Sequence, residues 1–381
     1  MTSLLVIIVL ILLAIALWQL TKIFDLTQVG QAANNTQVAN LEDNKVQGYI
    51  MFAFLAFLYI FMIYGLIVWG PLVLDNAASE HGTTVDLLMN ITWVLIFIVQ
   101  FITQALLHFF AYKYRGQQDT KALYFADNNK LEFIWSTIPA VVLAGLILYG
   151  LYAWTNIMFV DEDEDVIVIE LYAKQFGWEA RYAGEDNVLG KANVRYIAGV
   201  NTLGVDMADP NAQDDKMANE IHIPKGKKVV FKMRSQDVLH SAYMPHFRAQ
   251  MNCVPGMVTQ FAFIPILTTE EYRAIPKIVD KVKHINDLRT KESAALTAQG
   301  KVALDPYEFD YLLLCNKICG SSHYNMQMKI VVDTPADYKA WLADKPTMNK
   351  QMKDAAAPEE TAIPVMEIDS TMSAPIVVLA N

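Results

Sequence analysis

Cys315-Asn316-Lys317-Ile318-Cys319-Gly320-Ser321-Ser322-His323-Tyr324-Asn325-Met326 concentrates more metal-binding chemistry than any other part of the chain. Two thiols, an imidazole and a thioether lie between two β-rich runs, Tyr311–Leu314 and Met328–Val332. A second imidazole, His240, closes the run Asp237-Val238-Leu239-His240 just ahead of Ser241. Thiolate with thioether selects a soft metal, and imidazole, cysteine and a weak methionine together mark electron-transfer copper. A mononuclear site would use one cysteine. Two suggest a pair of copper ions bridged by both sulfurs, with a terminal histidine on each. An electron shared over two metals and two sulfurs changes each bond little, so it moves with small reorganisation. A disulfide between Cys315 and Cys319 is the first alternative, but it leaves His323 and Met326 without a role. A structural zinc is the second, and zinc has no use for methionine. A thioredoxin-like pair has two intervening residues, where this one has three.

Working outward, Val166–Leu171, Lys228–Ser235 and Val258–Ile264 join those two runs as short β-rich segments separated by Gly, Pro and Asn. Such spacing predicts an antiparallel sandwich or barrel. Two stretches interrupt it: Ala183–Glu220, rich in Gly, Asp and Asn, reads as a loop excursion, and Thr268–Pro306 as an insertion that is helical from Thr269 to Ala298. The tail from Lys345 is polar and Ala/Pro-rich, and partial disorder is expected there as far as Ile363.

The first 160 residues have a different character. Leu4–Leu20, Tyr49–Leu74, Leu87–Tyr112 and Phe133–Met158 are apolar and free of charge. A span needs roughly 20 apolar residues, so the last three qualify and the first is short. It lacks the basic leader and small-residue cleavage site of a signal peptide, so a retained span is expected. Gln100, Gln104 and His108 make one face of the third span polar. The connection 113–130 carries Lys113, Arg115, Lys121 and Lys130, and 21–48 carries Lys22 and Lys45, whereas 75–86 carries no Lys or Arg. Positive charge stays inside. The N-terminus and everything beyond Met158 are therefore expected outside, on the oxidising face of the membrane.

Hydrophobic residues make up 54% of the 381-residue chain and charged residues 18%, in line with a membrane anchor followed by a water-exposed domain. A formal net charge of −10 argues against a nucleic-acid partner, which needs basic patches, and is compatible with a basic protein partner. Three cysteines cannot build a multi-disulfide framework. Cys253 reads as a small buried thiol, and His246 as a polar residue at the domain edge. The acidic run Asp161–Asp165 reads as a solvated turn just outside the membrane rather than as a steering patch.

These motifs resemble cytochrome c oxidase subunit II. The family's loop Cys-Ser-Glu-Ile-Cys-Gly-x-x-His-x-x-Met is met at 315–326, and its Asp-Val-x-His-Ser with a following Pro at Asp237–Ser241 and Pro245. A Pro-Gly pair follows at Pro255-Gly256. The aromatic run Gln-Trp-x-Trp-x-x-x-Tyr is met as Gln175-Phe176-Gly177-Trp178 to Tyr182, and Leu-Glu-x-x-Trp-Thr-x-x-Pro as Leu131-Glu132 to Trp135, Ser136 and Pro139. The resemblance covers about Thr84 to Asp344. It implies a membrane-anchored all-β fold class: transmembrane α-helices, then a cupredoxin-like Greek-key β-barrel. The parts would be an extension with two extra spans (1–83), a helical hairpin (84–160), the extracytoplasmic domain with insertions near 183–220 and 268–306 (161–344), and a tail (345–381). It implies two copper ions in a binuclear centre, CuA, held by His240, Cys315, Cys319, His323, Met326 and the backbone carbonyl of Lys317. It implies electron uptake from cytochrome c through Phe176 and Trp178, and proton uptake at Glu132. Electrons would pass to haem held only by a partner, subunit I, which reduces O2 and pumps protons, with subunit III alongside. The setting implied is the inner membrane of a bacterium, with the domain on the periplasmic side.

Three departures stand out. Lys317 replaces a Glu whose carboxylate in the family reaches a magnesium ion, and an ammonium cannot ligate one. Phe176 replaces the exposed Trp of the family. Residues 1–75 have no counterpart in the common two-helix architecture. The alternatives carried with this reading are the CuA subunit of a nitric oxide reductase and a membrane-tethered copper-binding or assembly protein. A quinol oxidase subunit would lack the copper ligands. No Cys-x-x-Cys-His occurs, so a haem c fused to the chain is not expected.

Overall fold

The computed structural model describes residues 2–32, 41–73, 76–160 and 165–356. It falls into two compact units, residues 1–76 with 83–156 and residues 77–82 with 157–381. The short segment 77–82, expected to belong to the helical part, packs with the β domain instead. Ala78 N–H donates to the His246 carbonyl at 2.7 Å, and Ser79 pairs with Pro265.

The first unit is made of α1 (Thr2–Ala32), α2 (Leu41–Trp69), α3 (Glu80–Lys113) and α4 (Asn129–Met158). Among the described residues, three helices are long and apolar enough to cross a membrane: α2 continued to Leu72, α3 and α4. Within α1 the apolar stretch Ile8–Phe24 is shorter than that, and the side chains at the start of the expected first span lie outside the described residues. Contacts between α2 and α3 are aromatic and close. Gly48 is buried at a point where a Cβ would meet the Tyr112 ring at 2.8 Å, and Tyr59 Oη donates to the Phe101 carbonyl at 2.5 Å. His108 is buried, with Nδ1 2.8 Å from the Gln104 carbonyl and its ring beside Phe54.

The second unit is a two-sheet sandwich. Its strands are β1 (Ile167–Lys174), β2 (Gly177–Tyr182), β3 (Lys216–Ala218), β4 (Ile221–Pro224), β5 (Val229–Ser235), β6 (His240–Met244), β7 (Ala249–Cys253), β8 (Thr259–Phe263), β9 (Tyr311–Cys315) and β10 (Gln327–Asp333). One sheet runs β3-β2-β1-β5-β8 and the other β4-β10-β9-β6-β7. The expected antiparallel order is broken by two parallel pairs, β1 with β5 and β4 with β10. These arise because the chain crosses between sheets instead of turning back on itself. Ile169, Leu171, Phe231 and Met233 from one sheet meet Tyr311, Leu313, Ile330 and Val332 from the other in a shared core. On β10 the buried residues alternate with partly exposed ones, as a half-buried strand requires.

All-β describes the sandwich strands alone, since about half of the chain is helical. The insertion after β8 forms α5 (Thr269–Arg273) and α6 (Pro276–Ala298), and the chain then adds α7 (Pro335–Asp344) and α8 (Met348–Ala356). The single helix expected from Thr269 is broken because Pro276 can start a helix but cannot continue one. A capping box between Thr268 and Glu271 starts α5. In the expected tail, α8 buries Met348. The rest of that tail, from residue 357, and the acidic residues 161–164 lie outside the described residues.

The stretch 183–220 is more than a loop excursion, because it covers the outer face of β1. There Tyr172 packs with Leu203, Val205, Ala212 and Met348, so β1 is buried on both faces. A charge cluster is sealed beneath. Arg181 Nε meets Glu170 at 2.7 Å and Arg181 Nη1 meets Asp215 at 2.7 Å, while Arg234 Nε also reaches Glu170. Burial opposes ionisation of Glu170, but Arg181 and Arg234 outweigh it and hold the carboxyl below the usual range. Burial pushes Asp215 up to about 6 against the pull of Arg181. We predict that Glu170→Gln destabilises this unit by about 3–5 kcal/mol, since it leaves two largely buried guanidinium groups with one carboxylate, Asp215, which pairs with Arg181 alone. Chemical denaturation followed by circular dichroism measures this, and a loss below about 1 kcal/mol, the scale of an exposed pair, would count against it.

Candidate metal centre

The site is built at one end of the second sheet. Pairing of β6 with β9 places Ala242 opposite Cys315, and pairing with β7 places His240 opposite Cys253. His240 shares the inward face of β6 with Ala242 and Met244 and is fully buried. The connection from β9 to β10, residues 316–326, is closed at its base, where Cys315 N–H donates to the Met326 carbonyl at 3.1 Å. Asn316 N–H ties the same loop to the Ser241 carbonyl on β6 at 3.0 Å. A short 3-10 turn, His323–Asn325, then folds the loop back on itself.

The result brings all the predicted metal-ligating residues together. The sulfurs of Cys315 and Cys319 are 4.0 Å apart. His240 Nδ1 lies 3.8 Å from Cys315 Sγ, and His323 Nδ1 lies 3.6 Å from Cys319 Sγ. Met326 Sδ is 3.8 Å from Cys319 Sγ, and the Lys317 carbonyl is 3.2 Å from Cys315 Sγ. Ligand atoms of His240, Cys315 and Cys319 lie within 4.8 Å of one another, close enough to hold a metal ion. Burial, helped by the neighbouring Cys315, pushes the Cys319 thiol up to about 11. Metal binding at Cys319 must therefore release a proton.

Around these atoms sits a supporting shell that the sequence did not announce. His240 Nε2 is 2.8 Å from Asp237 Oδ1, which leaves Nδ1 to face the sulfur. Burial alone would raise Asp237, yet hydrogen bonds from His240 and from the Gln175 and Val238 backbone hold its carboxyl below the usual range. The Gln175 side chain donates to the Cys319 carbonyl, linking the β1–β2 turn to the metal loop. Asp three residues before His is the one signal that pointed to this shell. Gln175 had none beyond its neighbours.

Phe176 and Trp178 occupy different surroundings. Phe176 is half-exposed above the loop, where a Cβ on Gly320 would meet its ring at 2.8 Å. Trp178 is buried, edge-on to His240 with ring centroids 6.3 Å apart. Glu132 lies exposed in the first turn of α4, in the other unit. Cys253 is buried, and burial drives its thiol up to about 12. His246 is not a polar edge residue, for its ring packs against Tyr272, Phe309 and Tyr311.

Comparison with known proteins fits this arrangement. Residues 67–153 match the family described as cytochrome c oxidase subunit II, transmembrane domain, and residues 167–272 match its periplasmic domain. The alternative cytochrome c oxidase subunit 2 of Bradyrhizobium diazoefficiens is 32% identical over 284 residues, covering 73% of this chain and 84% of that one. The chain belongs to the cytochrome c oxidase subunit II family. The cytochrome c oxidase subunit 2 of Thermostichus vulcanus is 21% identical over 296 residues, covering 71% of this chain and 77% of that one. Among solved structures, the periplasmic domain of subunit II (CoxB) of Bradyrhizobium japonicum aligns with 52% of this chain and all of that one, at 18% identity and a TM-score of 0.26. The periplasmic-domain match includes His240 and stops short of Cys315–Met326, so the metal loop is read from its own residues.

Asp237→Asn is expected to weaken metal binding by about 10–100-fold, because the amide cannot fix the His240 tautomer as a carboxylate does. Competition titration against a chelator measures this. Unchanged affinity would mean that packing alone orients the ring.

Proposed function

We propose that this chain is the electron-accepting subunit of a respiratory cytochrome c oxidase, taking electrons from a cytochrome c at a binuclear copper site. The observation that carries the proposal is the convergence of six donors: two sulfurs 4.0 Å apart, an imidazole nitrogen beside each, a thioether and a carbonyl. Softness of this set favours copper over zinc or magnesium. When bound, the copper pair supplies a one-electron couple of small reorganisation.

The chain's own residues then divide the work. Cys315, Cys319, His240, His323, Met326 and the Lys317 carbonyl would hold the copper pair. Asp237 holds the proton on His240 Nε2 and so keeps Nδ1 free to ligate. Phe176 offers a surface ring against the loop for electron uptake, while Trp178 packs beneath His240 and excludes water. Glu132, at the start of α4, would take up protons on the inner side for the haem-bearing subunit I, with subunit III as a further partner. The spans would set the sandwich on the periplasmic side of a bacterial inner membrane. With Lys317 there is no carboxylate at that position to hold magnesium.

The test is an electron paramagnetic resonance spectrum of the copper-loaded full chain with two metals per protein. A seven-line hyperfine pattern is expected, from one unpaired electron shared equally by two copper nuclei. Cys319→Ser should abolish it. A four-line pattern in the unaltered chain, or binding of one copper only, would overturn the proposal.

A further inference from the structure

The two halves of the candidate metal centre are held by different means. Cys315 ends β9, and its half is tied through strand backbone. Cys315 N–H donates to the Met326 carbonyl, and Asn316 N–H to the Ser241 carbonyl on β6, the strand that carries His240. Cys319 and His323 lie beyond those ties, where the loop leaves the sheet. Hydrogen bonds there are local: His323 N–H to the Gly320 carbonyl at 3.3 Å, Asn325 N–H to the Ser322 carbonyl at 3.1 Å, and Met326 N–H to the His323 carbonyl at 3.2 Å. Among the described residues, one hydrogen bond reaches residues 317–325 from outside the metal loop. Its donor is the Gln175 side-chain amide and its acceptor is the Cys319 carbonyl.

Gln175 also acts at the other end of the centre. Its main-chain N–H donates to Asp237 Oδ2 at 2.7 Å, and Asp237 Oδ1 lies 2.8 Å from His240 Nε2. One residue of the β1–β2 turn thus connects the carboxylate behind His240 with the peptide behind Cys319. The approach is close, for a Cβ on Gly320 would come within 3.0 Å of Gln175 Nε2. Gln175 is an exposed residue, so polar contacts and not core packing fix where it stands.

We propose that Gln175 is a positioning residue of the copper site: its amide sets where Cys319 and His323 stand relative to Cys315 and His240, and so keeps the two halves equivalent. This rests on the copper reading above. Groups that hydrogen-bond to the surroundings of a metal ligand orient it and tune the metal. Matched ligand sets let one unpaired electron spread over two metals, and displacement of one sulfur and one nitrogen localises it. The donor is what counts, because a carbonyl can only accept. Methionine at this position keeps the length of the side chain without a donor, and glutamate sets carboxylate oxygens against the carbonyl. Lysine restores a donor that reaches as far.

The test compares Gln175→Met, Gln175→Glu and Gln175→Lys with the unaltered full chain. Because position 175 is exposed, all three are expected to fold as the unaltered chain does. In the metal-free chain, amide hydrogen exchange of residues 319–323 should quicken by roughly 2–10-fold in Gln175→Met and Gln175→Glu, the net worth of one hydrogen bond, and stay unchanged in Gln175→Lys. With two coppers bound, paramagnetic resonance should show seven evenly spaced lines for the unaltered chain and for Gln175→Lys. Gln175→Met and Gln175→Glu should show unequal couplings and fewer resolved lines, and lose copper to a chelator faster by the same factor. Seven even lines in both Gln175→Met and Gln175→Glu would overturn the proposal, whatever their exchange rates. So would a Gln175→Lys chain that behaves like Gln175→Met. A four-line pattern in the unaltered chain would instead count against the copper reading, and exchange in the metal-free chain would still decide whether Gln175 places the loop.

Discussion

Pairing of β6 with β9 is the constraint on which the rest of the molecule depends. His240 belongs to one strand and Cys315 to the other, and the register that sets Ala242 opposite Cys315 also points His240 inward. Side chains alternate along a strand, so a slip of one residue would send His240 to the outer face and replace it with Ser241 or Leu239. The sandwich prevents that slip by burying Ala242 and Met244 on the same face as His240. The metal loop adds two further ties, from Cys315 to Met326 and from Asn316 to Ser241. Two sulfurs that differ by four positions in sequence are thereby held side by side without a bond between them.

The opposite sheet explains how such a loop stays in place. Gln175 and Phe176 sit at the turn from β1 to β2, and both reach the metal loop. Their position depends on β1, which the segment 183–220 buries on its outer face over a cluster of two carboxylates and two guanidinium groups. Formal charges in that cluster cancel, and Arg181 is satisfied by Glu170, Asp215 and the Gly190 carbonyl. A buried ion cluster is a poor source of net stability. Its geometric demands, however, fix how β1, β2 and the covering segment lie against one another, and hence where the turn points.

Much of this was legible in the sequence, and the gaps have physical reasons. β1, β5, β8, β9 and β10 were found because their apolar residues alternate or form compact runs. β2 was missed because Glu179 and Arg181 look like solvent-facing residues, and only the cover above them makes their outer face an interior. β6 and β7 were missed because His240, Ser241, Asn252 and Gln250 carry polar groups that the site and the strand edge absorb. The spans were read from length and charge alone, whereas α8 was hidden in a polar segment and is held by one buried methionine, Met348. The side-chain donors are plain because four of them, Cys315, Cys319, His323 and Met326, fall within twelve residues, and His240 is added from its own short motif. The use of the Lys317 carbonyl is not, since every residue has a carbonyl and only a resemblance singled that one out.

Phe176 and Trp178 show where chemistry of residue type stops being informative. Both are aromatic, two positions apart, and the sequence offers the same choice for each between a route for electrons and a place in the core. The start of β2 separates them: Trp178 lies on the strand, buried and edge-on to His240, whereas Phe176 precedes the strand in the turn, above Gly320. Gly320 has φ of +144°, a conformation that side chains rarely adopt, and its missing Cβ leaves the space that the Phe176 ring fills. The glycine after Cys319 thus serves two purposes, since it lets the loop turn and lets a ring approach it. A bulkier residue would push Phe176 away and strain the backbone beside Cys319, whose carbonyl is already held by Gln175. Glycine, ring and thiol therefore behave as one contact, and the identity of each is constrained by the other two.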